Sequence, residues 1–337
     1  MPYVFRRGKR GGVAAVAVFA ALVVFALVAA SPAGATFPGK NGALVFSGVD
    51  AVSRTVQVYR VAPSGGAPMQ LTTPGLSGAV YNECPSWSAD GRLIYFDSLD
   101  RSMPTNPAHI YHMTATGGSR TLADSPDAPT HLCPAVNRSG TRIAAIQYAK
   151  DNSEGIVRMN TDGSDRQIVA TAAANQDNYG PQFAPTGSRI LFYKVTYNGN
   201  AVGGSDLLIV NGAGKIKNIT RNSSEQYFSP SWSPHGSTIV AVAGVTSDEI
   251  VRMSAGGSHV RVLVKVPHAQ LSSPKFSPDG KKIAFTECVG DCGDPDSPGT
   301  GSIWVMNANG SHLERILAQA TAGVQPDGSL DWGISAP

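Results

Sequence analysis

The chain has 337 residues, 42% hydrophobic and only 15% charged, a balance that supplies a sizeable core and excludes a disordered polyelectrolyte. Its formal charge of +3 comes from 27 Lys and Arg against 24 Asp and Glu, and past the first ten residues no basic block remains to follow a phosphate backbone, so nucleic-acid binding finds no support. Glycine (37) and proline (23) punctuate short Val, Ile, Leu and aromatic runs that lack a helical period, which points to an all-β protein.

Residues 1–35 read as a secretory signal. Arg6, Arg7, Lys9 and Arg10 form a basic start, Val13 to Ala30 is an unbroken apolar run, and Ala33-Gly34-Ala35 offers the small residues of a cleavage site. The run of 18 residues also reaches the spanning threshold, so an uncleaved anchor is the alternative. With either outcome residues 36–337 are expected to form a single domain, secreted or in the cell envelope, with no membrane contact beyond the signal segment. Arg6-Arg7 lacks a preceding Ser or Thr, which weakens a twin-arginine reading, and no cysteine precedes Cys84 to carry a lipid. Without the segment Lys and Arg fall from 27 to 23, and the domain carries about −1.

From there one phrase recurs: "CPSWSADGRLIYFDS", "GPQFAPTGSRILFYK", "SPSWSPHGSTIVAVA" and "SPKFSPDGKKIAFTE". Its turn glycines, Gly91, Gly140, Gly187, Gly236 and Gly280, are spaced by 49, 47, 49 and 44 residues. A second marker keeps step, an aliphatic residue seven positions before another glycine: Val58/Gly65, Ile110/Gly117, Ile156/Gly163, Leu207/Gly214, Ile250/Gly257 and Ile303/Gly310. Each unit reads as a Pro-x-aromatic strand, a tight turn, a second strand, a third strand such as "IWVMNANG", and a short outer strand such as "MQLT" or "KNIT". Four short strands per 40 to 50 residues is the unit of a β-propeller blade. In the turn, proline fixes φ and glycine tolerates positive φ.

The first unit, "TFPGKNGALVF" (Thr36 to Phe46), lacks the Pro-x-Trp strand, and "SLDWG" (Ser329 to Gly333) supplies one and stops, with Trp332 in the place of Trp87 and Trp232. The expectation is a six-bladed β-propeller closed by pairing of the N- and C-terminal segments, which removes free sheet edges.

"PSWSADGRLIYF", "PSWSPHGSTIV" and "PKFSPDGKKIAF", each followed by a third strand such as "IVRMSAGG", resemble the repeats of TolB-like propellers, a WD40-like class of bacterial envelope and secreted proteins. The resemblance runs from Thr36 to Gly333. It implies the fold; for activity it implies only a platform for protein binding or an accessory domain of a peptidase. The third copy, "CPAVNRSGTRIAAI", departs by placing Val136 where the others have an aromatic residue. TolB's own N-terminal domain has no counterpart, so a direct role in the Tol-Pal system is not implied.

Residues just before each proline are expected to line one mouth of the channel: Asn82 and Glu83, Thr130 and His131, Asn178 and Tyr179, Gln226 and Tyr227, Gln270 and Leu271. The bland alternative is a wet, polar channel whose groups water satisfies. Cys84 and Cys133 occupy one repeat position in adjacent copies, where Gly180, Ser229 and Ser273 stand later, so the position takes small side chains near a crowded axis. Equivalent places on neighbouring inner strands can bring two sulfurs into reach, and Cys288 with Cys292 would then close "CVGDC", although four cysteines allow three connectivities. A metal site is the competing idea, but the spacing is not a repeated C-x-x-C and an extracytoplasmic compartment is oxidising, so disulfides are expected, with no metal and no cofactor. "DCGDPDSPG" (Asp291 to Gly299) lacks the order of a calcium loop.

No G-x-S-x-G elbow occurs, and the seven histidines form no metal-spaced pair. The leading expectation is therefore a non-catalytic, monomeric module that binds a protein or glycan partner through a ring face. The alternative is an enzyme of the lyase or lactonase propeller type, acting in the channel with Glu83 and His131 as acid and base.

Overall fold

The structure, a computed structural model, describes residues 37–103, 107–148, 154–221, 223–290, 292, 299–319 and 323–336. The expected signal segment lies outside these residues, as does most of the Asp291–Gly299 loop. No helix among the described residues is long and apolar enough to cross a membrane.

Among the described residues twenty-four strands, numbered β1–β24 in chain order, form six antiparallel four-stranded sheets. The second blade is typical: β4 (Val80–Trp87), β5 (Leu93–Asp100), β6 (His109–Thr114) and β7 (Gly117–Leu122) lie side by side in that order. The inner strands of blades three to six are β8 (Thr130–Val136), β12 (Gln176–Phe183), β16 (Tyr227–Trp232) and β20 (Gln270–Phe276). Blade one takes its inner strand, β24 (Val324–Ile334), from the far end of the chain and pairs it with β1 (Asn41–Asp50), followed by β2 (Val56–Val61) and β3 (Met69–Gln70). Inner strands pack in a cycle, β24 on β4, β4 on β8, and so on until β20 meets β24. The chain is the expected six-bladed propeller.

Strands buried on both faces make the core a series of layers between blades rather than one central mass. The middle of each second and third strand is fully buried: Phe46, Phe96, Ile146, Phe192, Val242 and Phe285 are at 1% exposure or less. Val136, at the aromatic position of the third copy, is still wholly buried and packs with Tyr95, Ile143 and Ala145.

Both glycine markers have a physical cause. Gly91, Gly140, Gly236 and Gly280 sit at φ of 69° to 72° and close their turns by donating to Ser88, Asn137, Ser233 and Ser277 carbonyls. The outer glycines add a second demand. Gly257, at φ 87°, lies so close to the preceding blade that an added Cβ would collide with the Ile219 carbonyl. Gly65, Gly117, Gly163 and Gly310 are likewise pressed on the blade before, whereas Gly214 meets nothing within 4 Å, so in five of the six blades the outer turn is seated on its neighbour.

Closure rests on the pairs Leu44↔Trp332, Val45↔Asp331 and Phe46↔Leu330, with the Trp332 indole donating to the Gly42 carbonyl at 3.1 Å. Trp332 is 2% exposed. Deleting Ser329–Pro337 should bare the inner edge of β1 and cause aggregation or a large fall in melting temperature. In the full chain, Trp332→Ala should lose about 3–5 kcal/mol in urea unfolding. A soluble truncation with an unchanged melting temperature would refute closure by the termini.

Candidate functional site

The inner strands β4, β8, β12, β16 and β20 each break their ladder at the residue before the Pro-x-aromatic or Pro-x-Val proline. Cys84, Cys133, Gly180, Ser229 and Ser273 have φ between 48° and 57°. Across the break the register skips: Glu83 faces Asp97 and Ser86 faces Tyr95, while Tyr179 faces Tyr193 and Gln182 faces Leu191. A left-handed residue followed by proline makes a bulge that re-aims its neighbours. Crowding alone therefore does not explain the small residues there: a non-glycine residue in this conformation costs roughly 1–2 kcal/mol, and branched side chains fare worst.

Two of these left-handed residues are joined covalently. Cys84 and Cys133 form a disulfide with Cα atoms 4.8 Å apart, and Cys288 with Cys292 forms another at 5.8 Å. The first links blades two and three at the axis. The Asp97 carboxylate lies close enough to complete a three-donor metal set with the two sulfurs, all within 4.8 Å, but the sulfurs are bonded to each other. Asp97 instead accepts the Cys133 N–H at 2.8 Å.

The expected channel-mouth residues do not form one ring. Asn82, His131, Asn178, Tyr227 and Leu271 share one position, three residues before the proline, and all are buried. At that position the chain ties one blade to the previous one. Asn82 Nδ2 donates to Gln57 Oε1 at 2.9 Å, His131 Nδ1 meets Asp124 Oδ2 at 2.9 Å, and the Asn178 N–H donates to Glu154 Oε1 at 2.8 Å. Ser205 Oγ donates to the Tyr227 carbonyl at 2.5 Å, and the Leu271 N–H donates to the Ser247 carbonyl at 2.8 Å. His131 also has Nε2 3.3 Å from Gln147 Oε1, so both ring nitrogens are engaged. Thr130 and Gln226 are half-buried at strand starts, and Gln270 is exposed there.

Glu83, one residue closer to the bulge, is half-buried rather than fully enclosed. Protein surrounds its carboxyl. Burial, reinforced by Asp327 and Asp97 and opposed by Arg101, pushes its pKa up to about 8. Burial likewise raises Asp97 to about 7, against the pull of the Cys133 N–H and with a push from Asp327. Asp327, also raised by burial, accepts from the Ser47 hydroxyl at 2.8 Å and the Ser329 N–H at 3.2 Å. Three carboxyls from blades one and two thus lie close enough to raise one another's pKa. Sequence reasoning missed Asp97 and Asp327, which come from a second strand and from the closing strand. The usable signal was an aspartate inside an apolar strand, "LIYFDS".

The residues after the prolines of β4, β8, β12, β16 and β20 are buried. Ser86, Ala135, Gln182, Ser231 and Lys275, with Asp331 of the closing strand, are all at 1% exposure or less. Asp331 Oδ2 accepts the Trp87 N–H at 2.8 Å, and Gln182 Oε1 accepts the Trp232 N–H at 2.6 Å. Burial lowers the Lys275 amine to about 8, an effect that Asp331 partly offsets. Between blades three and four lies a second acidic group. Glu154, raised to about 9 by burial and by Asp177, stands near Tyr148, while Tyr179 donates its hydroxyl to Asp177 at 2.9 Å and lies 3.3 Å from the Tyr197 hydroxyl.

Among solved structures this architecture is similar to TolB from Acinetobacter baumannii, with a TM-score of 0.65 and 16% identity over 89% of this chain and 68% of that one. The fold is the TolB-like six-bladed β-propeller. A TolB-like propeller, putative TolB from Agrobacterium tumefaciens, matches with TM-score 0.58 and 18% identity over 88% of this chain and 97% of its own. An oligogalacturonate lyase from Vibrio parahaemolyticus matches with TM-score 0.53 and 13% identity, covering 86% and 79% of the two chains. No protein-family model matches the sequence, and no curated protein matches it. At these identities the TolB-like fold is what is shared.

A carboxyl whose pKa is higher in the folded than in the unfolded chain holds its proton more tightly when folded, so the stability it contributes is complete at low pH and is lost as pH rises through the folded value. Glu83, Asp97 and Glu154 are raised to about 8, 7 and 9. Stability is therefore expected to fall from about pH 5 to about pH 9, with Lys275 opposing the fall only toward the upper end of that range. Urea unfolding across that range should follow this slope and flatten in Glu83→Gln combined with Glu154→Gln; a flat or rising wild-type profile would refute it. Cys84→Ala with Cys133→Ala should cost about 2–4 kcal/mol by the same measurement.

Proposed function

We propose that the protein is an extracytoplasmic binding module that receives a loop of a partner protein at the channel mouth and that the loop carries a lysine or arginine. The carrying observation is the composition of this face. Glu83, Asp97 and Asp327 interact near the end of the blades where the inner strands begin, and the connections at that end expose Val52, Leu76, Met103 and Val245, with Val289 exposed at the end of β21 (Lys282–Val289). Apolar contacts around a charged centre are the composition of a protein-docking patch. Two disulfides and the TolB-like fold support the extracytoplasmic placement.

Physical chemistry gives the reading a pH signature. Near neutrality Glu83 holds a proton, and a cation seated beside it favours the carboxylate, so binding releases that proton. Affinity for arginine amide and for short lysine- or arginine-bearing peptides, read by calorimetry, should rise from about pH 6 to about pH 9. Glu83→Gln with Asp327→Asn should abolish both the binding and its pH dependence while leaving the fold intact. Binding that is unaltered in this variant would overturn the reading.

The enzyme reading draws on one observation, that a carboxyl protonated near neutrality is suited to general acid catalysis. His131 offers it no base, since both nitrogens are held inside the protein. Divalent metals separate the two readings: a millimolar ion that raises the melting temperature by several degrees would favour the enzyme.

A further inference from the structure

Away from the channel, the outer part of blade four carries an open groove of about 400 Å³. Lys194 on β13 (Ile190–Asn198), Leu208 on β14 (Ala201–Val210), Ile216, Lys217 and Asn218 of β15 (Ile216–Asn218), and Arg221 line it. Lys217 and Arg221 are exposed and Lys194 is half-buried. None of the three cations has a hydrogen-bond or ion-pair partner among the described residues. The nearest acid in register, Asp206, sits opposite Lys194 across the ladder but takes the Thr220 hydroxyl at 3.2 Å and forms no ion pair.

We propose that this groove binds an acidic saccharide, a pyranose bearing carboxylate or phosphate groups. Three unpaired cations around one concavity repel one another, and an anion relieves all three at once. Arginine supplies a planar fork that matches carboxylate or phosphate, while the lysines act as point charges. Leu208 and the 43%-exposed Ile216 provide an apolar floor for the C–H face of a sugar ring, and Asn218 offers a donor and an acceptor for hydroxyls. β15 is the outer edge of its sheet, so its free backbone groups can serve further hydroxyls. The volume lies within the range of small-ligand sites. In a domain whose net charge is about −1, this concentration of unpaired cations runs against the overall balance.

Calorimetry and chemical-shift perturbation on the whole domain, with a glucuronate disaccharide, glucose 6-phosphate and neutral cellobiose, test the site. The acidic sugars should bind and cellobiose should not; which acidic sugar binds more tightly assigns the carboxylate or the phosphate source. Lys194→Gln, Lys217→Gln and Arg221→Gln together should weaken binding by about tenfold or more without changing the melting temperature. A charge-matched control, Arg138→Gln, Arg166→Gln and Lys281→Gln, should leave it unchanged. The proposal is overturned if no acidic sugar binds, if both triple variants lose binding equally, or if single-stranded DNA binds as tightly as the sugars.

Discussion

A stack of sheets arranged around an axis is stable only when it has no first and last edge, and here that condition is met by a single strand. β24 fills the inner place of blade one and packs against β4 on one side and β20 on the other, so the seam is as continuous as any other blade junction. The rest depends on that closure. The inter-blade layers become dry only in a closed ring, and the channel exists only because six inner strands surround it. Asp327, Asp331 and Trp332 are buried in blade one because the closing strand carries them there.

Polar groups hold the ring together in a way hydrophobic burial does not. Apolar layers between blades are interchangeable, since one β-branched or aromatic face fits another. The bonds between an inner strand and the blade before it are individual: Asn82 to Gln57, His131 to Asp124, Asn178 to Glu154. A buried polar group that loses its partner costs more than the bond contributes, so such ties select one order of blades over others. The same logic separates structural polar residues from those left for a guest. Glu83, in the same strand as Asn82 but one residue on and next to the bulge at Cys84, makes no such tie among the described residues and keeps partial exposure.

The fold was legible because most blades restate the same two constraints, a tight turn after the inner strand in the five blades without the chain ends and an outer glycine pressed on its neighbour in all but the fourth. The shared blade was legible because the first unit lacks a strand that the last residues supply. The site was legible only in part. Strand alternation predicts which side chains share a face, but a left-handed residue shifts that alternation by one, and Cys84 or Ser229 gives no sign in the sequence of adopting it. Proximity to the proline alone puts Asn82, His131 and Asn178 at the mouth, whereas in the structure they are buried and tied to the blade before. Asp97 and Asp327 went unnoticed because residues far apart in the chain meet at the axis. Lys275 and Asp331, charged residues between a proline or leucine and an aromatic, were the plainer clue that the axis is polar.

The pairing of Leu44 with Trp332 also bears on how the molecule is made. Contacts between residues so distant in sequence form late, because the intervening chain must first be ordered. During synthesis the early blades therefore wait with one flank of β1 unsatisfied until the last residues arrive. The final step of assembly is a docking event rather than a nucleation, and a chaperone that shields that flank would act on nearly complete chains.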